Sequence, residues 1–229
     1  QDNYSYIIID NNNNACVVDP SESDPVIKYL EENKINLKFI LNTHHHYDHV
    51  GGNKELKKKY NAKVLGYIND KERIPEIDIF LKNKEIWNTD SFKFQIFHIP
   101  GHTSGHICYY FKNEKFLFTG DTLFSLGCGR IFEGTYEQMF SSLQLFKSFP
   151  KDTKIFCGHE YTLKNSEFCK KYDPKNKKLD NRILEIKNVL SKGLPTIPTT
   201  IEDELDCNIF LRSGDLETFS KLRDLKDNF

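Results

Sequence analysis

One short segment of the sequence concentrates side chains that bind metal ions. Residues 43–49 read Thr-His-His-His-Tyr-Asp-His, which places the ligand-type residues in the spacing H-x-H-x-D-H. Side chains at positions i and i+2 point away from each other on a helix, so His44 and His46 can converge only on an extended or looped backbone. Asp48 and His49 can then reach a second point beside the first. Neutral imidazole and carboxylate suit divalent ions such as zinc, iron or manganese.

Three further ligand-type residues each follow a glycine at the end of a predicted strand. They are His102, Asp121 and His159. The ends of separate strands can meet at one edge of a sheet, so these side chains can join the first cluster. Seven ligands exceed what one ion holds and fit two ions that share a carboxylate. Two such ions, about 3.5–4 Å apart, can hold a bridging hydroxide and polarise a carbonyl oxygen.

The other histidines near these segments are expected not to bind metal. His45 occupies the variable position of the first motif, and His98 and His106 lie in or beside predicted strands, where a hydrogen-bonded or buried supporting role is more usual. A lone histidine is more often a surface or supporting group. The metal prediction for the three strand-end residues therefore depends on the cluster at residues 44–49.

The hydrophobic pattern predicts the elements that must position these ligands. Strands are predicted over residues 4–9, 15–19, 37–41, 63–67, 92–99, 106–111, 115–119 and 154–157. Helices are predicted over residues 24–30, 53–60, 135–146, 166–172, 176–190, 199–206 and 215–225. Asp24 is expected to cap the first helix, and the pairs Thr135/Gln138 and Thr199/Glu202 are expected to form capping boxes. The pattern indicates an α/β body over residues 1–164 and a helical domain over residues 165–229.

Composition and charge exclude several classes of protein. The 229 residues include 32 Lys and Arg against 33 Asp and Glu, a formal net charge of -1, whereas nucleic-acid-binding proteins have a basic excess. There is no run of about 18 apolar residues, so no membrane span is predicted. The six cysteines contain no C-x-x-C pair. We expect reduced, mostly buried thiols and a cytoplasmic protein, with a catalytic cysteine as a minor alternative.

The first residue is Gln1 rather than Met. An upstream piece, with any targeting peptide, is therefore expected to be missing, and an organellar form stays open.

Six motifs resemble those of a known family in the same order: THHHYDH, PGHTSGH, TGDTLF, GCGR, EGT and CGHEYT. The first resembles the metallo-β-lactamase superfamily. GCGR followed by EGT and GHEYT is similar to glyoxalase II, the hydroxyacylglutathione hydrolases. The resemblance extends from the Asp2-Asn3-Tyr4 opening to the helical end. It implies an α/β fold, a four-layer αββα metallo-β-lactamase sandwich with a C-terminal helical domain.

The resemblance also implies how the ligands divide between two divalent ions, with zinc first and iron or manganese as alternatives. The set consists of two triads and a bridge: His44, His46 and His102; Asp48, His49 and His159; and the bridging Asp121. The implied reaction is hydrolysis of S-D-lactoylglutathione to D-lactate and glutathione, the second step of methylglyoxal detoxification. Asp48 and Asp121 would be the catalytic carboxylates, acting with a metal-bound hydroxide that attacks the thioester carbonyl. A thiol with a pKa near 8.5 leaves as thiolate with little help from a general acid.

Glutathione carries carboxylates, so cations and aromatic groups are expected at the mouth of the site. The resemblance assigns substrate contacts to Arg130, Phe132, Tyr161 and Arg212. Phe132 stands where the family commonly has Tyr, and the residues after Arg212 lack the usual basic side chains. We expect either weakened substrate binding or compensation by another Lys or Arg.

Three other functions stay open on the sequence alone. A persulfide dioxygenase of the same fold, with a single iron, shares H-x-H-x-D-H and GCGR, although EGT, GHEY and the long helical C-terminus favour the hydrolase. An RNA-processing nuclease conflicts with the charge balance. A non-catalytic glutathione-binding or metal-sensing protein conflicts with the presence of all seven ligands. We expect a monomer that binds a small-molecule thioester and has neither nucleic-acid nor membrane partners.

Overall fold

Alternating strands and helices fill the first two thirds of the computed structural model, which describes residues 3–229; Asp2 of the opening motif lies outside the described residues. The strands, in chain order, are β1 (Tyr6–Ile9), β2 (Asn14–Val18), β3 (Asn36–Leu41), β4 (Lys63–Tyr67), β5 (Ile79–Leu81), β6 (Ile86–Asn88), β7 (Lys93–His98), β8 (Ile107–Phe111), β9 (Phe116–Gly120), β10 (Leu123–Phe124), β11 (Gly127–Cys128), β12 (Lys154–Cys157) and β13 (Thr199–Thr200). The helices are α1 (Ser23–Glu32), α2 (Tyr47–Val50), α3 (Asn53–Tyr60), α4 (Tyr136–Phe146), α5 (Thr162–Tyr172), α6 (Lys177–Leu190), α7 (Ile201–Cys207), α8 (Ile209–Arg212) and α9 (Leu216–Asp227).

The chain divides into two compact units. The first consists of residues 3–98 and 105–114, and the second of residues 99–104 and 115–229. The C-terminal helices therefore belong to the second unit, together with β9 to β12. The boundary predicted between residues 164 and 165 divides the sequence in another way, and it stays a prediction.

The first unit contains a five-stranded sheet in the order β1-β2-β3-β4-β5. The strands β2 to β5 run parallel, and β1 forms the predicted antiparallel hairpin with β2. Strands covered on both faces are apolar throughout, and Leu37, Ile40 and Val64 are fully buried here. Leu30 of α1 and Leu56 of α3 complete the same core. Because β2 and β3 are parallel neighbours, the residues that follow them emerge at one edge of the sheet.

The first unit also contains the antiparallel strands β6, β7 and β8. Tyr109 on β8 is fully buried, and its hydroxyl donates a hydrogen bond of 2.7 Å to the carbonyl oxygen of Asn42. Asn42 directly precedes the histidine-rich motif. This contact therefore holds the start of the motif against β8.

In the second unit, β12 lies parallel to β9 and antiparallel to β13, and β10 and β11 form a short hairpin. Cys157 at the end of β12 pairs with Gly120 at the end of β9. Asp121 and His159 follow these two strand ends and thus emerge at the same edge. The strand-end argument from the sequence predicts this arrangement.

The predicted helix caps have mixed outcomes. The capping box of Thr135 and Gln138 at α4 is confirmed. The prediction for Asp24 is wrong, because α1 begins at Ser23 and Asp24 lies within its first turn. The N–H groups of the first turn have no hydrogen-bond partners within the helix, so proline is tolerated at several positions there. The position of Pro25 therefore does not define where α1 begins.

The second capping box is shifted by one residue from its predicted position. The pair that caps α7 is Thr200 and Asp203, not Thr199 and Glu202. Thr199 belongs to β13, and its hydroxyl donates to the carboxylate of Glu204. Thr199 therefore takes part in strand pairing, and it does not cap α7.

The cysteine prediction is confirmed, since all six thiols are free and buried. Burial raises the pKa of Cys157 and Cys169 to about 12, which disfavours the nucleophilic thiolate. Among residues 3–229, none of the helices has the length and apolar character that a membrane span requires.

Candidate metal centre and substrate cleft

The histidine-rich motif leaves β3 as a loop and turns into the short helix α2. The Thr43 hydroxyl donates to the Asp19 carboxylate at 2.6 Å, so at 3.0 Å it can accept the Nδ1–H of His44. This tautomer leaves Nε2 of His44 as the unprotonated nitrogen, and it lies 3.1 Å from Nδ1 of His46. Two nitrogen ligands of one tetrahedral ion, with bonds of about 2.0–2.1 Å, are about 3.3 Å apart. The pair therefore has the spacing of ligands to a single ion.

Asp19 orients a second imidazole of this motif. It follows β2, is buried, and accepts the Nδ1–H of the fully buried His49 at 3.0 Å. The Nε2 of His49 is then available as a ligand atom and lies 3.6 Å from the carboxylate of Asp48. A carboxylate behind a ligating histidine sets its tautomer and raises its basicity. Sequence reasoning missed Asp19, although an aspartate that ends a buried apolar strand was an available signal.

The second unit brings its three predicted ligands together. The Oδ2 atom of Asp121 lies 3.3 Å from Nε2 of His159 and 3.6 Å from Nε2 of His102. His102 donates from Nδ1–H to the carbonyl oxygen of Arg130 at 2.8 Å, which leaves its Nε2 unprotonated in the neutral ring. One carboxylate oxygen thus lies between two imidazole nitrogens, as a bridging ligand would.

The EGT motif supports the loop that carries His102. The carboxylate of Glu133 accepts hydrogen bonds from the backbone N–H and the hydroxyl of Ser104, at 2.8 and 2.9 Å. Gly134 donates to the carbonyl oxygen of Gly101, and an added Cβ at Gly134 would lie 2.6 Å from Cα of Gly101. A larger residue at position 134 would separate the two loops.

The histidines predicted not to bind metal have protein contacts of their own. Nδ1 of His45 lies 3.3 Å from the buried carboxylate of Asp70. The His106 ring stacks on the His44 ring with 4.6 Å between centroids, and the His98 ring stacks on a tyrosine of β4. These contacts are compatible with the predicted supporting role of the three histidines, which stays a prediction.

Three of the four predicted substrate contacts line one cleft of about 490 Å³ in the second unit: Arg130, Phe132 and Tyr161. The Phe132 ring packs edge-on against the His102 ring at 5.2 Å, and the Tyr161 ring stacks on the His159 ring at 4.9 Å. Asp121 also lines this cleft. The aromatic walls of the cleft therefore lead directly to metal-ligand candidates.

Arg212 does not line this cleft. It ends α8, and its guanidinium forms an ion pair with Asp173. Burial by itself would raise the pKa of Asp173, but the hydrogen bonds to Arg212 and Asn176, together with the charges of Arg212 and Lys170, lower it overall. The substrate role of Arg212 stays a prediction.

The cleft contains basic residues that sequence reasoning missed: Lys164, Arg223 and Lys226. Arg223 is 4% exposed and donates to the carbonyl oxygen of Cys128 at 2.8 Å and to Asp227 at 2.9 Å. Burial, together with the neighbouring Arg223 cation, lowers the pKa of Lys226. The sequence signal for these residues was the i, i+3 spacing of Arg223 and Lys226, which places both on one face of α9.

The parallel strand ends and the candidate histidine–aspartate ligands are consistent with the class of protein that the comparisons identify. Residues 2–159 match the family model described as the metallo-beta-lactamase superfamily. The crystal structure of the BLEG-1 B3 metallo-beta-lactamase is similar, with a TM-score of 0.72 and 22% identity over 92% of this chain and 95% of that chain. The chain is a member of this superfamily, and the predicted α/β fold with a C-terminal helical region is confirmed.

The C-terminal region narrows the class. Residues 160–229 match the model described as the hydroxyacylglutathione hydrolase C-terminus. A hydroxyacylglutathione hydrolase of Pelagibacter ubique is 66% identical over 100% of this chain and 96% of its own length. One from Prochlorococcus marinus strain MIT 9301 is 46% identical over 93% of this chain and 87% of its own length. The chain belongs to the hydroxyacylglutathione hydrolase family, glyoxalase II, as the motifs predict.

Proposed function

We propose that this chain hydrolyses S-2-hydroxyacylglutathione thioesters, with S-D-lactoylglutathione as the natural substrate and D-lactate and glutathione as products. The reaction would be the second step of methylglyoxal detoxification. The observation that carries this proposal is the cleft of the second unit, which combines a metal-ligand carboxylate, Asp121, with aromatic walls and four cations. Such a cleft suits a ligand that has a reactive thioester at one end and peptide carboxylates at the other.

The proposed ligand set is the one expected from the motifs. The motifs would assign His44, His46 and His102 to one ion and Asp48, His49 and His159 to the other. Asp121 would bridge them, a role supported by the position of its Oδ2 between two imidazole nitrogens. Imidazole and carboxylate groups fit zinc, iron and manganese, and zinc is the ion we propose first.

When bound, two divalent ions would supply Lewis acidity and a water molecule whose pKa is lowered toward about 7. The chain's own residues hold the ligand atoms in place. Asp19 and the carbonyl oxygen of Arg130 keep Nε2 of His49 and of His102 unprotonated. Asp48 and Asp121 would contribute the negative charge that holds the ions. The departing thiolate is stable enough to leave without a general acid.

The peptide part of the substrate would lie along the basic side of the cleft. Arg130 is well exposed, and its guanidinium can bind a carboxylate in a bidentate manner. Lys164 and Lys226, which line the same cleft, would provide the compensation expected for the Tyr that Phe132 replaces and for the basic residues missing after Arg212. Arg212 would have to release Asp173 before it could contact substrate.

We also propose that the protein acts as a monomer in the cytoplasm. Six free, buried thiols suit a reducing compartment.

The test uses the purified protein and S-D-lactoylglutathione. Loss of the thioester absorbance is followed with elemental analysis and light scattering on the same sample. We expect turnover, two divalent ions per chain and a monomeric mass. A fully metallated sample without turnover would refute the proposal, and oxygen uptake with glutathione persulfide on one iron would instead identify the dioxygenase.

A further inference from the structure

The β10–β11 hairpin connects two parts of the candidate metal centre. It begins two residues after Asp121 and ends two residues before Arg130, whose carbonyl oxygen accepts the Nδ1–H of His102. Its turn includes Leu126 with a φ of 58°, a conformation that costs a non-glycine residue free energy and must be held by its surroundings.

Two buried side chains from the C-terminal helices hold this turn. The carboxylate of Glu204 on α7 accepts the backbone N–H of Leu126 at 2.8 Å. The side-chain amide of Asn208, which precedes α8, donates to the carbonyl oxygen of Gly127 at 3.0 Å and to the same Glu204 oxygen at 2.8 Å. Glu204 and Asn208 are both fully buried. Hydrogen bonds between buried groups are stronger than solvent-exposed ones, so the turn follows the position of the two side chains.

The hairpin has little freedom to move without its flanking residues. An added Cβ at Gly129 would lie 1.8 Å from the carbonyl oxygen of Asp121, so the two ends of the hairpin are in direct contact. The backbone N–H of Gly129 also donates to the carbonyl oxygen of Thr122 at 3.2 Å. A shift of the turn would therefore displace Asp121 and the Arg130 carbonyl together.

We propose that Glu204 and Asn208 are positioning residues for the metal centre. They fix the hairpin turn, the hairpin fixes Asp121 and the Arg130 carbonyl, and that carbonyl sets the orientation of His102. This inference rests on the proposed metal-binding roles of Asp121 and His102. By this arrangement the C-terminal helices shape the metal centre in addition to lining the substrate cleft.

The test compares three substitutions on one helix in zinc-loaded protein. Glu204→Leu removes the acceptor for Leu126 at similar volume. Glu204→Gln keeps an oxygen for Leu126 and Asn208, and the Thr199 hydroxyl can turn to accept from the new amide. The matched control is Glu202→Leu, the same change at an exposed position of α7. Zinc retention is measured by competition with a chromogenic chelator, on protein shown to be folded by circular dichroism.

We expect Glu204→Leu to weaken zinc binding about tenfold, the low end of the 10–100-fold effect of losing a group that supports metal ligands. Glu204→Gln and Glu202→Leu should retain zinc as the wild type does. A general loss of stability would lower the melting temperature without changing the zinc affinity of folded protein. Reduced zinc affinity in folded Glu204→Leu, with normal affinity in Glu204→Gln, would therefore assign the effect to positioning.

A second variant covers the case in which Glu204→Leu does not fold. Asn208→Asp keeps the oxygen that caps α8 for Phe210 and Leu211 but loses the amide that donates to Gly127. It should weaken zinc binding to a similar extent.

Wild-type zinc affinity in either folded variant would overturn the inference. So would failure of both variants to fold, because the two residues would then support the fold as a whole. A wild-type protein that binds no zinc would refute the proposed ligand set itself, before any variant is compared.

Discussion

The carboxylate of Asp19 accepts the Nδ1–H of His49 across 3.0 Å, and both side chains are buried. The same carboxylate accepts the backbone N–H of Thr43 at 2.8 Å and its hydroxyl at 2.6 Å. One residue at the end of β2 therefore fixes both the start and the end of the histidine-rich motif. A loop that must present several ligands is made rigid in this way before any ion binds.

Asp19→Asn should weaken metal binding about 10–100-fold, because an amide is a poorer acceptor for the His49 N–H than a carboxylate. The measurement is chelator competition on zinc-loaded protein, with turnover on the same samples. Asp24→Asn, at an exposed position of α1, is the control and should behave as the wild type. Equal zinc retention in Asp19→Asn would show that Asp19 does not support His49.

Asp121→Ala should release both ions and reduce turnover by more than about a hundredfold, because a bridging ligand serves both sites and its loss exceeds that of a supporting group. Elemental analysis after gel filtration gives the metal content. Asp152→Ala, at an exposed position that pairs with Lys115, provides the control. Retention of two ions at wild-type occupancy would contradict the bridging role.

Lys226→Met should raise KM for S-D-lactoylglutathione about tenfold and leave kcat nearly unchanged. A hydrogen bond to a charged group contributes about 1.5–3 kcal/mol, and Lys226 lines the cleft together with Arg130 and Lys164. The control is Lys221→Met, which is exposed on the same helix and pairs with Glu217. Steady-state kinetics on both variants test this, and an unchanged KM would remove Lys226 from the substrate site.

Glu204 should make the stability depend on pH. Burial is the largest cause of its raised pKa, about 7 against 4.5, and the donors Asn208, Thr199 and Leu126 offset only part of it. The folded state thus binds the proton more tightly than the unfolded state. The resulting stability is fully present below pH 4.5 and is lost as pH rises through about 7. These two values imply a loss of about 2–3 kcal/mol between pH 5 and pH 8.

Urea unfolding of the wild type and Glu204→Gln at pH 5 and pH 8 measures this effect. The difference in the free energy of unfolding between the two proteins should change by about 2–3 kcal/mol, in favour of the variant at pH 8. Comparing the two proteins at each pH cancels the titration of the groups they share, and the neighbours Arg182 and Cys207 are present in both. A pH-independent difference would mean that Glu204 titrates near its ordinary pKa.

Elements with a long, regular pattern could be predicted from the sequence, and short ones could not. The helix over residues 53–60 and the strands at residues 63–67 and 154–157 agree with the structure to the residue. The strands β5, β6, β10, β11 and β13 were missed because two or three residues cannot display a period. Their existence depends on pairing partners that are distant in sequence.

The types and spacing of the ligands were determined by the sequence alone. His44, His46, His49 and Asp48, crowded into six residues, have little use without an ion, and strand-end glycines marked the other three candidates. The supporting groups were decided by the tertiary structure. Asp19, Glu204 and Arg223 lie outside the ligand motifs, and their roles arise from contacts with residues 30 to 95 positions away. Chemistry that depends on residue type can be read along a chain, whereas burial and hydrogen-bond partners exist only once distant segments have packed together.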